Sequence, residues 1–215
     1  MAKGSTPFHG LLAGFGPPPP STDDDTAYFA ALGKFIVAYA LAESAVHMLA
    51  GKALGVKDKK ARIVFAGARL NDVATRLRSL IESRSEAVRK EVEECIQQLN
   101  AIGDRRDRFV HRLVQYNAGR LRVSNVFTAK SVALIEEEEF TIPDLRAMEL
   151  DCSRIFLRLA RIRNPSMKKN DTREFRKSLR APWRYKRPPP KPMDQAGDIL
   201  KRARSRKPQP RPSSA

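Results

Sequence analysis

The sequence predicts a mainly α domain: a four-helix bundle-like core with a β-hairpin inserted before the last helix, between disordered termini. Three observations carry this. Apolar residues recur at helical spacing along four long stretches between residues 26 and 164. Proline avoids that region. Five of the 15 prolines lie in residues 1–20 and nine in 165–215, which leaves Pro143 alone between them. Charge divides at the same boundary: of a net +17, residues 165–215 supply 16 Lys and Arg against 4 Asp and Glu, and residues 21–164 carry only +4. The folded domain is therefore expected at 22–164, enough for one compact core. A Gly/Pro-rich segment precedes it at 1–21, and a disordered, basic, Pro-rich tail follows at 165–215.

Residues 1–21 include four consecutive prolines, which suit local polyproline II rather than a packed element. Asp23, Asp24 and Asp25 offer an N-cap and a negative first turn to a helix over 26–53 that stops near Gly55. Its deepest face is expected to hold Phe29, Leu32, Ile36, Tyr39, Ala40 and Ala50, with Glu43 and His47 on the same stripe. A short helix is expected at 58–67. Another at 70–83 turns Leu70, Val73, Leu77, Leu80 and Ile81 inward. The longest pattern, 86–115, aligns Val88, Val92, Cys95, Ile96, Leu99, Ile102, Phe109, Val110 and Leu113.

Leu121, Val123 and Phe127 favour a strand near 120–128. Val132 to Ile135 favours its partner, joined through Ala129 and Lys130. The acidic run Glu136 to Glu139 is expected to hang in solvent at the end of that hairpin. Thr141-Ile-Pro-Asp144 is a helix start with a capping box and a proline in the first turn. The helix it opens, 142–164, turns Leu145, Met148, Cys152, Ile155, Phe156, Leu159 and Ile162 inward and ends at Asn164-Pro165.

The composition narrows the chemistry. Two isolated cysteines, Cys95 and Cys152, fall on apolar faces and make neither a disulfide framework nor a zinc site. His9, His47 and His111 lack metal-ligand spacing, so neither a metal nor a cofactor is expected. The longest apolar run, Phe35 to Ala42, is well short of the ~20 residues a membrane span needs. No signal-peptide core precedes it, and a cytoplasmic location with no membrane partner is expected.

Residues 104–111, Asp-Arg-Arg-Asp-Arg-Phe-Val-His, stand out within the fourth pattern. At about 100° per residue, Arg106 falls mid-stripe between Leu99 and Leu113. A charge there must snorkel, pair or work, because burying it unpaired costs several kcal/mol or more. His111 lies about 140° further round and shares a face with Asp107 and Asp104. Metal-free RNA cleavage needs a group that moves protons near neutrality and a cation for the phosphorane. His111 suits the first task, and the planar guanidinium of Arg106 suits the second. Asp107 is placed to orient the imidazole, and Arg105 and Arg108 flank the pair. Because Arg106 and His111 point apart on one helix, a two-fold interface is the natural place for a cleft, which favours a homodimer. In the tail, Arg180, Trp183, Arg184, Tyr185, Lys186 and Arg187 combine phosphate-neutralising charge with rings that stack on bases.

Arg106-Asp107-Arg108-Phe109-Val110-His111 resembles the Arg-(polar)-x-x-x-His signature of the HEPN superfamily. The order of elements over about 26–164, with Glu43 on a long first helix and the signature on a late one, is similar as well. The resemblance implies a helical domain and a metal-independent endoribonuclease of toxin or phage-defence type. It assigns Arg106 and His111 as catalytic and Asp107 as the polar neighbour, with Glu43 in support; Asp104 is placed in support by the face it shares with His111. Its implied partners are RNA and a neutralising antitoxin protein. A second reading stays open: a non-catalytic helical module for nucleic acid or protein, with Arg106 in a structural ion pair to Glu43. A metal hydrolase built on Asp104, Asp107 and His111 lacks a second cluster of ligands.

Overall fold

Helix α1 (Asp23–Ala53) begins on three aspartates, and its chain turns away where Gly55 takes a φ of 75°, a conformation that favours glycine. In the computed structural model, which describes residues 23–117, 120–125, 137–169 and 171–186, it is followed by α2 (Asp58–Val64), α3 (Leu70–Leu80) and α4 (Glu86–His111). Strands β1 (Leu113–Asn117), β2 (Arg120–Ser124) and β3 (Glu137–Phe140) come next, then α5 (Ile142–Arg163). A 3-10 turn at Pro165–Lys168 and α6 (Arg173–Leu179) complete the described chain.

The fold is mainly α, with a hairpin before the long helix α5, as expected. α1 packs most extensively against α5 and also against α2, α3 and α4. Tyr28, Phe35 and Val46 of α1 join Ile96, Leu99 and Ile102 of α4 and Leu145, Met148, Ile155 and Leu159 of α5 in one fully buried cluster. Each such side chain contributes about 1.5–3 kcal/mol of apolar burial. α5 starts on the expected capping box: Thr141 accepts from the Asp144 backbone N–H, and Asp144 accepts from that of Thr141.

The inward face of α1 differs from expectation. Phe29 is 55% exposed and Ala40 faces solvent, whereas Tyr28 and Phe35 are fully buried. The apolar residues of α1 are spread almost evenly round it, so spacing alone does not single out the buried side. By length and composition Thr26–Ala53 is apolar enough to cross a membrane, and this same helix is the one on which four others pack.

The sheet is antiparallel in the order β1-β2-β3, with Val114 opposite Val123 and Arg122 opposite Glu139. Two expectations need correction here. The helix expected to 115 ends at His111, because Leu113–Asn117 pairs as a strand. The acidic run does not hang free: Glu137–Phe140 is β3, drawn in by the basic residues of β2 and α4 that face it. The strand expected at 132–135 lies outside the described residues, as do 1–22 and 187–215.

The tail expected to be disordered from 165 is ordered as far as Lys186 among the described residues. Asp151, fully buried on α5, accepts the backbone N–H groups of Tyr185 (2.8 Å) and Arg184 (3.1 Å). Trp183 lies under the guanidinium groups of Arg154 and Arg158, at 5.0 and 4.9 Å from its ring centre. The segment is therefore a strap across α4 and α5. Both cysteines are buried core residues, as expected; burial pushes the Cys95 thiol up to about 12 and the Cys152 thiol higher still.

Candidate functional site at the end of helix α4

The last two turns of α4 meet α1, β3 and the strap, and each neighbour takes a different arginine. Arg105 is the buried one, with 7% of its side chain exposed. Its Nε donates to the Tyr185 hydroxyl at 2.7 Å, and its Nη1 pairs with Glu138 of β3. Arg108 donates to the same carboxylate at 2.7 Å. Two guanidinium groups thus share Glu138, and Arg105 joins the sheet to the strap.

This corrects the placement of Arg106. Its side chain is 36% exposed, and it is not the arginine that the core encloses. The reason is a drift of the buried face. Val92 and Phe109 are both buried, yet 17 residues at ~100° each leave them about 100° apart round the helix. Towards its C-terminal end α4 gains the sheet and Tyr185 as neighbours beside the helices, through Arg105 to Glu138 and to the Tyr185 hydroxyl. A straight stripe drawn from Leu99 to Leu113 therefore points at Arg106, and the real one passes through Arg105. Val110, expected inward, is 51% exposed for the same reason.

Arg106 is held in a different way. Its Nη1 donates to Asp107 at 2.9 Å, and its guanidinium lies 5.6 Å from the centre of the Tyr39 ring. The Asp107 hydrogen bond keeps Arg106 firmly protonated, against a smaller opposing effect of burial. Tyr39 comes from α1 and is 6% exposed. Its burial, then the charges of Glu43 and Asp107, push its hydroxyl well above the ordinary tyrosine range, so it stays neutral. The hydroxyl seats against Gly103, where an added Cβ would stand only 2.7 Å away. Glycine there lets α1 and α4 approach closely enough to bring Tyr39 beneath Arg106.

No family model, no curated protein and no solved structure matches the chain.

Glu43 was expected as the ion-pair partner of Arg106. It stands within electrostatic reach, but Asp107 takes the ion pair. His111 is exposed, in the last turn of α4. No hydrogen bond joins it to Asp107 among the described residues; the Asp107 carboxylate turns to Arg106 instead. Asp104 is exposed, half a turn before the pair. Among the described residues, no three His, Cys, Asp or Glu side chains gather as metal ligands do.

The structure divides the expected tail contacts. Tyr185 is buried, and its hydroxyl accepts from Arg105, so it is a structural anchor rather than a base-stacking ring. Trp183 is half-buried between arginines. Arg180, Arg184 and Lys186 are exposed, and Arg187 lies outside the described residues. Sequence reasoning missed Asp151 and Glu138. The signal for Asp151 was present: it sits one turn after Met148, beside Cys152, on an otherwise apolar face. For Glu138 there was none, because four adjacent glutamates look alike in sequence.

Proposed function

We propose that this chain is a metal-independent endoribonuclease that works as a homodimer, with Arg106 and His111 as its catalytic residues. The observation that carries the reading is the contrast at the end of α4. Arg105 and Arg108 are consumed by Glu138, whereas Arg106 and His111 remain open to solvent and Arg106 is pre-oriented by Asp107 and Tyr39. A guanidinium held this way is suited to the non-bridging oxygens of a phosphodiester.

In the reaction, a ribose 2′-oxygen attacks the adjacent phosphorus and gives up its proton. The bond from phosphorus to the 5′-oxygen breaks, and that oxygen takes up a proton. The products are a 2′,3′-cyclic phosphate and a 5′-hydroxyl. His111 moves protons in this scheme, and Arg106 stabilises the charge that builds on the phosphorane. Asp107 is a positioning residue for Arg106.

The homodimer rests on the outer face of α1. Phe29, Ala30, Gly33, Val37, Ala40 and Leu41 all lie exposed there, and Val37 is 61% exposed. An apolar face of this extent calls for a partner, and a two-fold pairing brings two copies of the α4 end into one groove. Val37→Glu with Leu41→Glu should yield a monomer by light scattering and remove RNA cutting; a variant that stays dimeric would refute this face. The biological setting we favour is a toxin or phage-defence ribonuclease in the cytoplasm, restrained by a neutralising protein. Expressed beside His111→Ala, wild type alone should arrest growth and leave RNA fragments of uniform ends.

One observation favours a second reading, a helical module that binds without cutting: among the described residues no side chain orients the His111 imidazole. Under that reading His111→Ala is silent in every assay.

A further inference from the structure

A second basic site lies at the other end of α4. The strap leaves a cavity of about 360 Å³ between itself, the first turns of α4 and the last turns of α5. Five cations line it: Arg158 and Arg161 from α5, Lys168 from the 3-10 turn, and Arg176 and Arg180 from α6 and its end. Among the described residues two acids, Glu91 and Asp171, share the lining, and Glu94 reaches Arg158 from beside it.

The acids are already engaged. Arg158 donates to Glu91 at 2.6 Å and to Glu94 at 2.8 Å, and Arg161 to Asp171 at 2.8 Å. That leaves the side chains of Lys168, Arg176 and Arg180 without an ion pair or hydrogen bond among the described residues, round one concavity. Their fields converge there. The Glu91 carboxyl sits below the usual range, although burial opposes this; Arg158 is the main cause, with Arg180 and Lys168 contributing. Three like charges held together in a concave wall repel one another, and a multivalent anion offsets that repulsion. The planar forks of Arg176 and Arg180 match phosphate oxygens, and Lys168 adds a point charge.

We propose that this cavity binds phosphate groups of a nucleic-acid strand. It is separate from the α4 end: 15 residues divide Glu91 from Arg106, about 22 Å along the helix. Its phosphate chemistry does not depend on whether Arg106 and His111 cut RNA. A strand gripped here is long enough to reach the α4 end only if it spans several nucleotides. The strap that forms the cavity also carries Tyr185 to Arg105.

The test uses the full chain in a His111→Ala background, so binding is read without cutting. Pyrophosphate, added at constant ionic strength, should raise the melting temperature of this protein. It should not raise that of Lys168→Ala/Arg176→Ala/Arg180→Ala. A control that removes three exposed cations elsewhere, Lys59→Ala/Lys60→Ala/Arg76→Ala, should respond like the parent. A fluorescent single-stranded RNA should bind the cavity variant at least tenfold more weakly, with the control within twofold. Pyrophosphate should compete with the RNA on the parent. Competition by a nucleoside diphosphate but not by RNA would assign the same phosphate chemistry to a free nucleotide. Equal losses in the two triple variants, or no response of the parent to pyrophosphate, would overturn the proposal. Should the triple variant melt too low to assay, Arg180→Gln carries the same comparison with an expected threefold loss, since that side chain is exposed and unpaired.

Discussion

Replacing Arg105 and Arg106 in turn by alanine separates the arginine that holds the fold from the one free to act. Arg105→Ala takes from Tyr185 its guanidinium donor and from Glu138 one of its two cations. Stripping a partner from a fully buried charge costs about 3–5 kcal/mol. Glu138 keeps Arg108 and has 20% of its side chain in water, which lowers this part to about 2 kcal/mol. The lost hydrogen bond to Tyr185 adds about 1 kcal/mol. Arg106→Ala loses an ion pair to an Asp107 side chain that is 62% exposed, worth at most ~1 kcal/mol. The contact of Arg106 with the Tyr39 ring adds about 0.5 kcal/mol. For a chain of this length each kcal/mol moves the melting temperature by roughly 2–4 °C. Arg105→Ala should therefore melt about 9 °C below wild type and Arg106→Ala at most about 4–5 °C below. Differential scanning calorimetry reads both. Equal shifts, or a larger one for Arg106→Ala, would show that the wrong arginine has been placed in the structural role.

Two further outcomes follow from the same contacts. Gly103→Ala puts a methyl group into the Tyr39 hydroxyl and should cost about 1–3 kcal/mol in urea unfolding, with Tyr39→Phe restoring part of the loss; no restoration would refute the close approach of α1 and α4. The Glu91 carboxyl is held below its ordinary value by Arg158, so its stabilisation is present above the unfolded value of about 4.3 and is lost as pH falls. The urea midpoint should drop on acidification below that point, and Arg158→Gln should lessen the drop.

Much of the fold was legible in the sequence where one face is plainly apolar. Leu70, Val73 and Leu77 of α3, and Leu145, Met148, Ile155 and Leu159 of α5, are buried as their spacing predicts. The capping box at Thr141 is present as its four residues suggest. α1 defeated the same reasoning because it is apolar all round, so its spacing does not mark the side that packs. The site was legible as a segment, 104–111, but not as roles. Which of two adjacent arginines is enclosed depends on how the buried face drifts along α4, and that drift is set by the sheet and the strap. Neither is local to the motif. Tyr185 stands 80 residues from Arg105, and Glu138 stands 33 away. The strap looked like a basic, proline-rich tail, because a few anchors, Asp151, Tyr185 and Trp183, order a segment whose composition argues for disorder.

The most direct measurement is cleavage of a defined RNA by purified protein in EDTA, with wild type, His111→Ala and Arg106→Ala side by side. All three should be folded by circular dichroism. Wild type should cut and leave 2′,3′-cyclic phosphate ends, and both variants should lose at least 99% of the rate, about 3 kcal/mol of transition-state stabilisation. Cutting at the wild-type rate by the His111 variant would contradict the account.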